Sequence, residues 1–86
     1  MSYRILLERP VRKALDRLPD SAAERLLERI GALADDPRPV GCIKLVGSVR
    51  DWRIRVGAYR ILYQIDEQSA AITILRIGHR KDVYRV

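Results

Sequence analysis

Asp51-Trp52-Arg53-Ile54-Arg55-Val56-Gly57-Ala58-Tyr59-Arg60-Ile61-Leu62-Tyr63-Gln64-Ile65-Asp66 is the stretch from which the rest of the chain can be read. Side chains on a strand alternate between faces, so Trp52, Ile54 and Val56 share one side and Arg53 and Arg55 the other. After Gly57-Ala58 the alternation resumes, with Tyr59, Ile61, Tyr63 and Ile65 on one face and Arg60, Leu62 and Gln64 on the other. A two-residue turn with glycine in its first central position pairs Val56 with Tyr59 and Arg55 with Arg60. That register collects Trp52, Ile54, Val56 and the Tyr59–Ile65 set on one side, and Arg53, Arg55 and Arg60 on the other. A slip of one residue would mix the faces. The cost of the register is a like-charge cross-strand pair, Arg55 against Arg60. A solvated, salt-screened face can tolerate one such cation. Three guanidinium groups on one face of one hairpin instead favour a site for an anion, and a polyphosphate backbone is the anion that matches.

Working outward, Tyr3–Glu8 reads as a first strand and Pro10 as the first turn of a helix, where its missing N–H costs nothing. Val11, Ala14, Leu15 and Leu18 form an apolar stripe at helical spacing. Pro19-Asp20 breaks that helix, and Ser21-Ala-Ala-Glu24 reads as a capping box opening a second. Ala22, Ala23, Leu26, Leu27, Ile30, Leu33 and Ala34 make its apolar face, with Glu24, Arg25, Glu28 and Arg29 opposite. Asp35–Pro39 ends it. From Ile43 the period changes to two. Ile43–Val46 is a brief strand, Ala71–Ile77 a central one, and Gly78 its end. These elements predict an α+β fold: a first strand, a helical hairpin, then a mainly antiparallel sheet of three or four strands, the hairpin packed on one face. The 86 residues allow a single domain, 1–86. The hydrophobic fraction of 48% is enough for a core, and a lone cysteine, Cys42, excludes a disulfide scaffold. No apolar run reaches the roughly 20 residues of a membrane span, and no signal-peptide h-region opens the chain. A reduced, cytoplasmic location is the expectation.

The charge is uneven. The net +6 divides into +1 over residues 1–43 and +5 over residues 44–86, mostly as arginine. Arginine presents a planar fork of donors that fits phosphate oxygens and stacks on bases. The tail, His79-Arg80-Lys81-Asp82-Val83-Tyr84-Arg85, adds cations, the only histidine and a near-terminal tyrosine. Histidine titrates near neutrality, and tyrosine can stack on a base. There is no CxxC, HExxH, Walker loop or GxGxxG, and Asp66-Glu67 falls in a turn, so neither a metal nor another cofactor is expected.

Leu33-Ala34-Asp35-Asp36-Pro37-Arg38-Pro39, Lys44-Leu45, Gly47, Trp52–Gly57, Tyr59–Tyr63 and Gly78–Arg85 resemble, in order and at the expected spacing, the RelE branch of the RelE/ParE toxin superfamily. The resemblance covers essentially the whole chain. It implies the toxin of a type II toxin–antitoxin pair, cleaving messenger RNA in the ribosomal A site without a metal, by attack of the ribose 2′-OH on the adjacent phosphate. Carried over residue by residue, the pattern implies that Arg55 and Arg60 hold the phosphate, that Arg80 stabilises or protonates the leaving oxygen, and that Tyr84 stacks on or orients the base. Arg53 completes the basic pair of the strand, and Lys44, Lys81 and Arg85 are further candidate phosphate contacts. The family pattern has Lys where this chain has Arg53 and Arg55. Arginine stays protonated and is a poor base. The proton acceptor then falls to His79 or Tyr84, or electrostatics carry the reaction. The resemblance also implies its partners: an antitoxin whose acidic segment covers the basic face, the ribosome with its message, and operator DNA only through the antitoxin complex. Two other readings stand beside it, a ParE-type toxin that inhibits DNA gyrase and a basic nucleic-acid-binding module without catalysis.

Overall fold

The computed structural model describes residues 2–79. The chain runs β1 (Arg4–Leu7), α1 (Arg9–Arg17), α2 (Asp20–Ala32), β2 (Ile43–Lys44), β3 (Asp51–Val56), β4 (Tyr59–Asp66) and β5 (Ala71–His79). Five strands form one sheet in the order β1-β5-β4-β3-β2. The four strands after the helices pair antiparallel with their neighbours, as their short connections require. β1 instead joins β5 in parallel, with Ile5 opposite Ile72 and Leu7 opposite Ile74. The helical hairpin supplies the long crossover that a parallel pair needs.

Both helices pack on one face of the sheet. Val11 and Leu15 of α1 and Leu26 and Ile30 of α2 meet Ile54, Val56, Ile61, Tyr63, Ile65, Ile72, Ile74 and Ile77 in a single core. Pro10 stands in the first turn of α1, as its ring and missing N–H favour. The expected capping box at Ser21–Glu24 does not form. Pro19, extended at φ −56° and ψ 148°, is itself the cap, and α2 begins one residue later at Asp20. Ala23 N–H donates to the Pro19 carbonyl at 3.0 Å, so the turn that Ser21 would have opened is already inside the helix.

The hairpin has the register given by alternation, with Val56 opposite Tyr59 and Arg55 opposite Arg60. Gly57 takes φ +61°, a conformation that costs other residues about 1–2 kcal/mol. Two strand limits differ from expectation. β2 is only Ile43–Lys44, because Leu45 turns away into the loop that leads to Ser48. β5 does not stop at Gly78 but continues to His79, since Gly78 and His79 pair with Arg60 and Tyr59.

Candidate nucleic-acid interface

Cross-strand partners project from the same side of a sheet, so the pairing assigns faces. Arg55 and Arg60 are direct partners, and Arg53 pairs with Leu62. All three arginines therefore stand on the face opposite the helices. Their surroundings differ. Arg55 is exposed and Arg53 half-buried, whereas Arg60 is only 2% exposed. Across β5 its cross-strand partner is Gly78. Removing a guanidinium from water costs several kcal/mol unless other groups compensate. An arginine held that way has few rotamers left to lose when an anion binds, which makes it a pre-set donor.

Two further candidates are not beside these arginines. His79 is the partner of Tyr59, and their rings meet edge to face with centroids 6.1 Å apart. Tyr59 lies on the helix-covered side with Val56 and Ile61, so His79 does as well. Lys44 pairs with Trp52 and takes that same side. Arg80, Lys81, Tyr84 and Arg85 lie outside the described residues.

Two arginines that sequence reasoning passed over stand close to the site. Arg76 pairs with Leu62, placing it in line with Arg53 across β4. Strict alternation from Ile72 and Ile74 would send Arg76 to the helix side. A bulge prevents this: Tyr63 pairs with Ile74 but Leu62 with Arg76, leaving Leu75 as the extra residue. The bulge flips the remainder of β5, so Arg76 faces the arginines while Ile77 returns to the core. The second is Arg29 of α2, which reaches the open edge of β3 beside Arg53 and Arg55. Alternation on β5 gave no sign of the bulge, and a helix pattern gives no sign of which strand edge its polar face will meet.

A set of polar contacts fixes the loop between α2 and β2 next to this edge. Tyr63 Oη donates to the Pro37 carbonyl at 2.7 Å, and Arg38 Nη2 donates to Glu67 Oε2 at 2.8 Å. Tyr3 Oη donates to the other Glu67 oxygen. The Arg38 guanidinium also lies 5.1 Å from the centre of the Trp52 ring, within cation–π range. Hydrogen bonds from Tyr3 and then Arg38 hold the Glu67 carboxyl below its ordinary range. Burial pushes the Tyr63 phenol well above its own, keeping it a neutral donor.

The chain is a small α+β domain with a helical hairpin on one face of its sheet and arginines on the other, and known toxins share this architecture. Residues 5–84 match the family model described as the ParE toxin of the type II toxin–antitoxin system parDE. Toxin RelG of Mycobacterium tuberculosis is 33% identical over 86 residues, covering 99% of each chain. The archaeal RelE–RelB complex from Pyrococcus horikoshii contains a chain with TM-score 0.83 and 34% identity, covering 93% of this chain and 97% of that one. The toxin–antitoxin complex RelBE2 from Mycobacterium tuberculosis gives TM-score 0.81 and 28% identity, covering 93% of this chain and 100% of the other. The protein belongs to the RelE branch of the RelE/ParE superfamily and is a type II toxin of RelE type.

Proposed function

We propose that the protein is a ribosome-dependent endoribonuclease that cuts messenger RNA in the A site by metal-independent attack of a ribose 2′-OH on the neighbouring phosphate. The observation that carries this reading is the arginine face, with Arg55 directly opposite a nearly buried Arg60 and Arg53 beside them. Negative charge grows on the non-bridging oxygens as the 2′-oxygen attacks. Fixed donors aimed at that charge lower the barrier more than donors that must first be gathered from solvent. Arg60 and Arg55 take this role, and Arg53 steadies the adjoining backbone. With His79 on the reverse of the sheet, proton removal from the 2′-OH falls to Tyr84 or to water in the arginine field, and Arg80 serves the leaving 5′-oxygen. The reaction takes place in the cytoplasm. The related RelE chains from Pyrococcus horikoshii and Mycobacterium tuberculosis were solved in complexes with antitoxins. By the same token a cognate antitoxin is the resting partner here, its acidic segment lying over the arginine face, and operator DNA is reached only through that complex.

A second reading rests on the family description itself, which names ParE. In that case the target is DNA gyrase and the arginine face serves binding alone. One experiment separates the two: expression of the wild type, Arg55→Ala and Arg60→Ala, with transcriptome-wide mapping of messenger 5′ ends and an assay of gyrase supercoiling. Codon-phased cuts from the wild type, lost in both variants, are expected. Arg55 is exposed, so its variant tests the site without disturbing the fold. Blocked supercoiling with uncut messages would reverse the assignment.

A further inference from the structure

β2 pairs with β3 only at Arg53 and Trp52, so the edge of β3 from Ile54 onward has no strand beside it. A cleft of about 270 Å³ opens there, lined by Arg29, Val40, Gly41, Ile43, Arg53, Ile54 and Arg55. Three guanidinium groups from two separate elements stand around an apolar wall made by Val40 and Ile43, with the buried Ile54 behind it. Val40 is fully exposed and Ile43 is 49% exposed, so apolar surface is held at the mouth without cover. On α2, Arg25 stands one turn before Arg29 and reaches Gly57, where a built Cβ would lie 3.3 Å from its Nη2. Like charges four apart on a helix oppose folding slightly. Among the described residues, none of Arg25, Arg29 and Arg55 lies within ion-pair distance of a carboxylate.

Cations beside an apolar wall suit a ligand with a phosphate at one end and a flat, weakly polar group at the other. The volume is near the lower end of the roughly 300–1,000 Å³ of small-molecule pockets, so one nucleoside-sized group fills it. Because Arg53 and Arg55 belong both to this cleft and to the face that holds the scissile phosphate, its occupant is covalently continuous with, or packed against, the RNA being cut. We propose that this cleft is a subsite for one unpaired RNA nucleotide, with its phosphate held by Arg29 and Arg55 and its base against Val40 and Ile43. Arg29 is then a positioning residue, acting on affinity and leaving the chemical step to the arginine face. This subsite rests on the ribonuclease reading above.

The nucleotide can come from the message beyond the A-site codon or from ribosomal RNA. Cleavage by wild type and Arg29→Ala would be measured on ribosomes stalled over two messages, one ending at the A-site codon and one extending several nucleotides further. The expected result is a KM raised about tenfold by Arg29→Ala with kcat unchanged, and rescued in part by Arg29→Lys. A penalty confined to the longer message identifies the messenger as the source, and an equal penalty on both identifies ribosomal RNA. Either outcome supports the subsite. Wild-type KM in Arg29→Ala on both messages overturns it while leaving the ribonuclease reading intact. The same holds if KM is unchanged but Arg29→Ala loses affinity for an acidic antitoxin peptide, which would assign the cleft to protein. If the wild type itself fails to cut either message, the ribonuclease reading falls, and the subsite with it.

Discussion

A guanidinium that is 2% exposed, as in Arg60, has given up most of its hydration, and its cross-strand neighbour is a second arginine, Arg55. On the proposed function, the Arg60 charge is a fixed donor for the scissile phosphate. Arg76 makes the same argument from the other side of β4. It is exposed, and it reaches the arginine face only because Leu75 is bulged. Each cation that neutralises a phosphate of a single strand contributes about 0.7 to the slope of log K against log salt. Arg76→Ala is therefore expected to flatten that slope by about 0.7 for single-stranded RNA, measured by anisotropy between about 50 and 200 mM salt. Arg12→Ala, on the exposed side of α1, should leave it unchanged. Arg53, Arg55 and Arg60 were legible as a set because alternation is a strong signal over a six-residue strand. Arg76 was not, because an inserted residue leaves no mark in composition. The face of His79 was not legible for a related reason: ending β5 at Gly78 hid the pairing with Tyr59 that decides it.

At the scale of elements, the β3–β4 hairpin depends on Gly57. With φ at +61°, Gly57→Ala should lower the denaturant midpoint by an amount equal to about 1–2 kcal/mol, with unchanged m-value. Arg25, the flexible group nearest the new methyl, can swing away at little further cost. The α2–β2 loop depends instead on Glu67. Its folded pKa is depressed, so the contribution of the latch is fully present above the unfolded glutamate value of about 4.3 and is lost as pH falls through the lower folded value. Trp52 is the only tryptophan and lies under Arg38, so its emission should change below about pH 4 as Arg38 is released. Glu67→Gln should remove that transition. The two helices and the hairpin could be read from periodicity because each is held by local pattern. The latch could not, since Tyr3 and Glu67 are 64 residues apart and only the parallel β1–β5 pairing brings them together.

For the molecule as a whole, the mixed sheet divides the labour. One face is closed by two helices and provides stability. The other carries Arg53, Arg55, Arg60 and Arg76. On the proposed function, the net charge of +6 would steer anionic surfaces toward that face. Chain order alone predicted the α+β class, but joining β1 in parallel to the last strand is a long-range choice that no local pattern encodes. What the arginine face does to a message decides the proposed function. The direct test is the purified wild type acting on ribosomes stalled with a defined codon in the A site, with the ends of the message sequenced and their chemistry determined. The account predicts one cut within that codon, an upstream fragment ending in a 2′,3′-cyclic phosphate, and no cut when the attacking ribose is 2′-deoxy. An intact message, or a cut that survives the 2′-deoxy substitution, would contradict it.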